Sequence, residues 1–358
     1  MAGSSKLILV IGATGAQGQA VIEALLAPTE TGQASPYTVR ALTRDPASRH
    51  AKALAARGVE CVEGSFTDYA AVAKALEGAY GAWVNTDGFT VGEMEEIYAG
   101  MRIYEVAKTI SSLRHYVWSN LQYVLKNAGF DPQYSADHLN AKGRVGEWLS
   151  VQPSVLGDGL TWSQVTTGPY MDMLNGGMFS PLNVRTDGTV VFAAPIEEGH
   201  IPMITLKDLG WWARWTFDHR DEASGQDLNI TSDRVHWDYL VETFTKVTGS
   251  PAVFKRLTLD EWFANFEAEN LEDPVANEKT RGDGSKTLRE NMSAFWRLLR
   301  DDIIHKDLEW IRRIHPGTYT LERWMRENNY TGRGETVLKN TQEGKMSFGF
   351  RPEVAALL

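Results

Sequence analysis

The sequence predicts an α/β fold: a doubly wound parallel sheet with a smaller C-terminal α+β lobe. Three observations predict it. Short apolar, β-rich runs alternate with helical patterns as far as residue 165. A glycine-rich turn follows the first of those runs at once. Past Thr167 the alternation gives way to a stretch rich in Gly, Pro and Met with sparser elements. Strands and helices that alternate at this length make right-handed βαβ units. A chain of 358 residues is ample for one large domain or two unequal ones.

Residues 7–11 (Leu-Ile-Leu-Val-Ile) are an apolar run of strand length, as expected of a buried parallel strand. Gly12, Gly15 and Gly18 follow, and 19–26 reads as a helix. Strand, glycine turn and helix together make a phosphate site. The glycines let the backbone turn tightly and approach a pyrophosphate, and the helix N-terminus supplies free N–H groups and a positive dipole end. The third glycine lets the helix pack close to the strand. The spacing is G-x-x-G-x-x-G, and its place after the first strand gives it weight. Without a ligand the same pattern would be a tight βα turn.

A polar Gly/Pro loop at 27–36 leads to a second strand at 37–42 and a helix at 47–57. Strands are expected at 59–62, 81–85, 115–119 and 160–165, with helices at 69–77, 93–110 and 137–150. Beyond Thr167, 190–192 and 227–230 read as short strands, and 206–217, 238–247, 285–300 and 321–328 as helical. The expected division is a nucleotide-binding part at 1–167, a substrate lobe at 168–330 that can interleave with it, and a polar tail at 331–358. The tail is weakly patterned and expected to be partly mobile.

The net charge is -10 and no basic stripe occurs, so nucleic acid is not an expected partner. The single cysteine, Cys61, excludes an intrachain disulfide framework and reads as a small core residue. The N-terminal Met-Ala-Gly-Ser-Ser lacks signal-peptide character, and no apolar run is long enough to span a membrane. A soluble, cytoplasmic protein without a metal site is expected.

The second strand's end selects the nucleotide. An Asp or Glu there takes the ribose hydroxyls of NAD. Here the strand ends Leu42-Thr43-Arg44. A guanidinium fork suits the 2′-phosphate of NADP(H), and Thr43 can add a hydroxyl contact. Asp45 lies past the turn, where it can cap the next helix. Asn85 and Thr86 end strand four beside the switch point, so they line the ligand crevice. Ser119 ends strand five. His138 and Lys142 share one helical face, four residues apart. Reductases of this architecture commonly use a Ser, a Tyr and a Lys at that spacing, the lysine holding the ribose. Here a histidine stands in the tyrosine's place, and an imidazole can still move a proton near neutral pH. Tyr134 is a second candidate donor. Trp211, Trp212 and Trp215 read as core or lobe interface. Asp208 reads as a helix cap, and 267–273 as a solvated acidic surface.

On Gly12-Ala-Thr-Gly15-Ala-Gln-Gly18, Thr43-Arg-Asp-Pro46, His138-x-x-x-Lys142 and Thr167-Gly-Pro-Tyr-Met171, the chain resembles the NmrA-like proteins. These are an atypical branch of the short-chain dehydrogenase/reductases. The likeness extends through Asn328. It implies a Rossmann-like domain and NADP(H), held by Gly12, Thr14, Gly15, Gln17, Gly18, Thr43, Arg44, Asn85, Thr86, Lys142, Thr167 and Tyr170. It also implies catalytic positions at Lys142, His138 and Ser119. Tyr170, Met171, Met173 and Leu174, with Met178 and Phe179, would wall an apolar pocket beside the nicotinamide. Two functions are implied. One is an NADPH-dependent oxidoreductase of secondary metabolism that reduces C=N, C=C or C=O in a bulky apolar small molecule, with cyclisation coupled in some relatives. The alternative is a non-catalytic NADP redox sensor that regulates a partner protein. The His-for-Tyr replacement speaks against ordinary carbonyl reduction. Gly64-Ser-Phe66 stands where the family has Gly-Asp, so the adenine contact is expected to be either lost or taken over by Asp68.

Overall fold

Along Lys6–Ile11 neighbouring side chains pack on opposite faces, as a pleated strand buried on both sides requires. Ile8 and Val10 pack with Val21, Ile22, Leu25, Leu209 and Trp212 on one side. Leu9 and Ile11 pack with Val72, Leu76, Ile103, Val145 and Leu149 on the other. Those residues lie on helices Ala16–Leu26 and Leu206–Asp218 on the first face and Tyr69–Leu76, Glu93–Ala107 and Asp137–Ser150 on the second. This is a computed structural model describing residues 5–345 and 349–358. The N-terminal Met-Ala-Gly-Ser lies outside the described residues.

Among the described residues, seven strands form one parallel sheet: β1 (Lys6–Ile11), β2 (Tyr37–Thr43), β3 (Glu60–Glu63), β4 (Gly81–Val84), β5 (His115–Asn120), β6 (Thr161–Thr166) and β7 (Gln226–Asn229). Their order is β7-β6-β5-β4-β1-β2-β3. Val10 lies opposite Ala41 of β2 and Trp83 of β4. The chain winds outward both ways from the β1–β4 pair, which makes that pair the switch point where a ligand crevice forms.

Two segments beyond Thr167 return to this sheet: helix Leu206–Asp218 covers one face and β7 extends the edge beside β6. Trp212 is fully buried there, stacked on Trp310 at 5.4 Å, while Trp211 and Trp215 are half-buried against the same core. Asp208 does not cap the helix. Thr205 does, accepting from the Asp208 N–H at 3.0 Å, while the buried Asp208 carboxylate accepts from His315 at 3.0 Å and from Tyr319 N–H at 3.0 Å. Similarly, the helix expected at 47–57 is Arg49–Ala55, capped by Ser48. Asp45 turns back onto the Ala47 N–H at 2.8 Å.

The second lobe has its own core, built on a small sheet of Ala252–Arg256, Val190–Ala194 and Asn183–Val184. Trp237, Trp262, Trp296, Trp324 and Phe179 fill it. Helix Leu288–Arg300 is held by a capping box between Thr287 and Glu290. Described parts of the tail pack on this lobe: Phe350 pairs with Phe266, and Ala355 is buried in this core. Those contacts are all tertiary, which is why no local pattern announces them.

Candidate functional site

A groove of about 780 Å³ opens over the β1–β4 switch point. Its floor is the turn after β1. Gly12 has φ +79°, and a Cβ there would stand 2.7 Å from the Asn85 carbonyl oxygen, so only glycine fits. Gly15 precedes helix Ala16–Leu26 without any side-chain cap, leaving the first N–H groups of the helix open. Gly18 does not line the groove. A Cβ on it would come 2.2 Å from Gly12 O, so it is a packing glycine that lets the helix sit against the turn.

Lys142 reaches the groove from helix Asp137–Ser150. Its Nζ donates to Asn85 Oδ1 at 3.1 Å, Thr86 O at 2.9 Å and Thr86 Oγ1 at 3.1 Å. It also pairs with Glu96 at 3.2 Å. Glu96 is wholly buried and accepts from Thr86 Oγ1 at 2.7 Å. Sequence reasoning placed Glu96 on the helix expected at 93–110 but did not single it out, because its partner Lys142 lies on a different helix.

Ser119 is buried at the end of β5, and its hydroxyl donates to Gln17 Oε1 at 2.6 Å. Gln17 Nε2 in turn donates to Tyr170 Oη at 3.3 Å. Burial pushes the Tyr170 hydroxyl well above the ordinary phenol range, so it stays protonated. Thr14, Thr43, Thr167 and Tyr170 all line the groove. Met173 lines it too, with Met178 and Phe179. Met171 and Leu174 do not: both are fully buried in the second lobe's core, because the 3₁₀ turn Met171–Leu174 aims them inward.

His138 lines the groove between the Phe89 ring at 4.9 Å and the Phe295 ring at 5.4 Å. Burial pushes it down to about 4, against the opposing effects of the Asn291 hydrogen bond and the Asp137 charge. It is neutral at pH 7. Asn291 Oδ1 accepts from Asp137 N–H at 2.8 Å, and the same side chain meets His138 Nδ1 through Oδ1 at 3.3 Å and Nδ2 at 2.9 Å. Tyr134 lies away from the groove, donating to Asp301 at 2.7 Å. Asp68 caps helix Tyr69–Leu76 through Ala70 N–H and Ala71 N–H, while Ser65 and Phe66 line the groove. Arg44 is exposed at the groove and has no hydrogen bond or ion pair among the described residues.

Beside His138 the groove has an apolar chamber, with Phe89, Leu121, Met292, Phe295 and Ile304 in its wall. None of these was singled out from sequence, because they come from four separate segments, Met292 and Phe295 sharing one helix. On the second lobe, Glu198, His236 and Asp238 bring ligand atoms together, but Arg256 pairs with both carboxylates at 3.0 and 2.7 Å and supplies the countercharge. No helix among the described residues is long and apolar enough to cross a membrane.

The sheet, its switch-point groove and its glycine floor define a Rossmann-like α/β protein. The sequence model of the NmrA-like family matches residues 4–298, and the chain belongs to that family. It is 25% identical over 267 residues to the NmrA-like family domain-containing oxidoreductase malD of Malbranchea aurantiaca, covering 70% of this chain and 76% of that one. It resembles the crystal structure of NmrA, a negative transcriptional regulator, with a TM-score of 0.69 at 18% identity, over 92% of this chain and 99% of that one. A similar likeness joins it to the NADPH-dependent quinone oxidoreductase QOR2 of Escherichia coli complexed with NADPH. There the TM-score is 0.65 at 18% identity, over 90% of this chain and 100% of that one.

Proposed function

We propose that this chain is an NADP(H)-dependent oxidoreductase of secondary metabolism that reduces a C=N, C=C or C=O bond in a bulky, largely apolar small molecule. One observation carries the reading: a single groove runs from a bare glycine floor into an aromatic chamber. The relatives named as oxidoreductases support it.

The groove's residues fit the dinucleotide. The uncapped helix N-terminus after Gly15 offers N–H donors to a pyrophosphate. Arg44 has a free guanidinium fork for the 2′-phosphate, and Phe66 an apolar ring for the adenine. Lys142, held by Asn85, Thr86 and Glu96, is set to hold the nicotinamide ribose. When bound, NADPH supplies a hydride. The residues 1–167 would hold it and 168–330 would supply much of the chamber wall.

The protein's own groups bind, orient and exclude water. Phe89, Met292 and Phe295 suit an apolar substrate and keep water from it. Tyr170 accepts from Gln17, which leaves its phenol proton for an oxygen in the groove. The neutral His138 ring is a second group in the groove able to donate a hydrogen bond. With an imidazolium scarce at pH 7, both act as hydrogen-bond donors rather than strong acids, which favours substrates that need little proton transfer, such as iminium ions.

The test follows nicotinamide absorbance on adding iminium, enone and ketone substrates. Oxidation of NADPH by any of them is expected. Complete absence across all three would replace this reading with a redox sensor that engages a partner protein.

A further inference from the structure

The tail leaves the second lobe, touches the first across the groove, and returns. Tyr330 anchors its start, donating to Leu174 O at 2.9 Å. Residues 334–336 pass Asn175 and Gly176 so closely that a Cβ on Gly334 would stand 3.0 Å from the Asn175 side chain. The helical turn Lys339–Gln342 then meets the first lobe. Lys339 Nζ donates to Thr14 Oγ1 at 2.9 Å, and Asn340 Nδ2 donates to Asp87 Oδ2 at 3.0 Å. Further on, Arg351 N–H donates to Asn265 O at 2.8 Å, and Arg185 Nε donates to Leu358 O at 3.2 Å. Both ends of the tail are thus tied to the second lobe while its middle rests beside the glycine turn.

Lys339 has too little countercharge for its position. Its side chain is only 21% exposed. Among the described residues its carboxylate contact is Glu343 at 3.7 Å, and Lys345 holds that same carboxylate at 2.6 Å. The other close partner is a neutral hydroxyl. An ammonium removed from water in this way is costly unless an anion completes it. Cations also gather on this side: Arg44 is unpaired among the described residues, and burial together with the Arg49 and Lys339 charges pushes His50 below its ordinary range, opposed by Glu343. Asp45, the acid nearest to Arg44 in the chain, has its carboxylate turned onto the Ala47 N–H. Thr14, Arg44, Ser48 and Lys339 line the same groove.

We infer that Lys339 is a ligand of the cofactor's 2′-phosphate, donated by a tail that straps the dinucleotide into the groove. The inference rests on the NADP(H) reading above. Thr14 and Arg44 would meet the phosphate from the first lobe and Lys339 from above, so specificity for NADP(H) over NAD(H) would depend on a residue more than three hundred positions from the glycine turn.

Calorimetric titration of NADPH and NADH into wild type, Lys339→Ala and Lys339→Arg tests this without turnover. Lys339→Ala should weaken NADPH by about 10- to 100-fold, the loss of one charge-assisted phosphate contact, and NADH by less than about threefold. Lys339→Arg should stay within about threefold of wild type. Trypsin digestion read by mass spectrometry should show NADPH suppressing cleavage after Lys339 in wild type. Unchanged NADPH affinity in Lys339→Ala, or equal loss of both nucleotides, overturns the assignment while leaving the NADP(H) reading standing. Wild type that binds neither nucleotide overturns both. Cleavage at an unaltered rate with NADPH overturns the strap.

Discussion

Removing the charge of Glu96 should unfold much of what holds Lys142. The carboxylate is fully buried, 3.2 Å from Lys142 Nζ. At an effective dielectric of about 20, that separation corresponds to an attraction of about 5 kcal/mol. Desolvation of the two ions offsets much of it, so the net worth of the intact pair is small. Breaking it is different. Glu96→Gln leaves an ammonium whose side chain is 9% exposed with only the neutral acceptors Asn85 and Thr86. Water has little room to substitute, since a Cβ on Gly88 would already stand 2.2 Å from Glu96 Oε2. A loss of about 3–5 kcal/mol is expected for Glu96→Gln, and a similar one for Lys142→Met. The double variant removes both charges and should recover part of it, with a coupling energy of about 1–3 kcal/mol. Guanidinium denaturation of the four proteins measures this. Single variants each within about 1 kcal/mol of wild type, with strictly additive effects, would refute the reasoning.

Arg44→Glu should weaken NADPH by about one to two decades and spare NADH, read by calorimetry; equal nucleotide affinities in wild type would contradict this. Tyr170→Phe, which removes one hydrogen-bond donor to a developing oxyanion, should slow ketone reduction by roughly 10²–10³-fold and leave iminium reduction within about tenfold, whereas His138→Ala should leave NADPH affinity nearly unchanged. Equal losses for ketone and iminium in Tyr170→Phe would show the phenol to be structural only. Burial, with the Arg220 charge adding to it, pushes His115 down to about 3. Between that value and the ordinary value near 6.5, the unfolded chain binds a proton that the native chain refuses. Stability should therefore fall with acidification from pH 6.5 toward 3, by up to about 1.4 kcal/mol per pH unit from this residue. His115→Gln should flatten that slope in urea titrations, and an unaltered slope would count against it.

The part of this protein written in short-range pattern was legible in the sequence. The run at 7–11 and the glycines after it need only neighbours in the chain to form a strand and a turn. The helical spacing of His138 and Lys142 is likewise enough to bring both to one groove. Arg44 could be placed at the end of β2 for the same reason. What the sequence left open were directions and returns. Met171 and Leu174 have the same apolar character as Met173, yet a 3₁₀ turn aims the first two into the core and the third into the groove. Asp208 reads as a helix cap, and Glu96 is one more residue of its helix, until the segments carrying Lys142, His315 and Tyr319 close over them. The aromatic chamber and Lys339 are assembled from segments with no shared local signal. A turn or a helical face is decided within a few residues, where backbone sterics and periodicity act. Which side chain ends up beside a distant one is decided only when the chain buries its apolar surface, and that choice belongs to the tertiary structure.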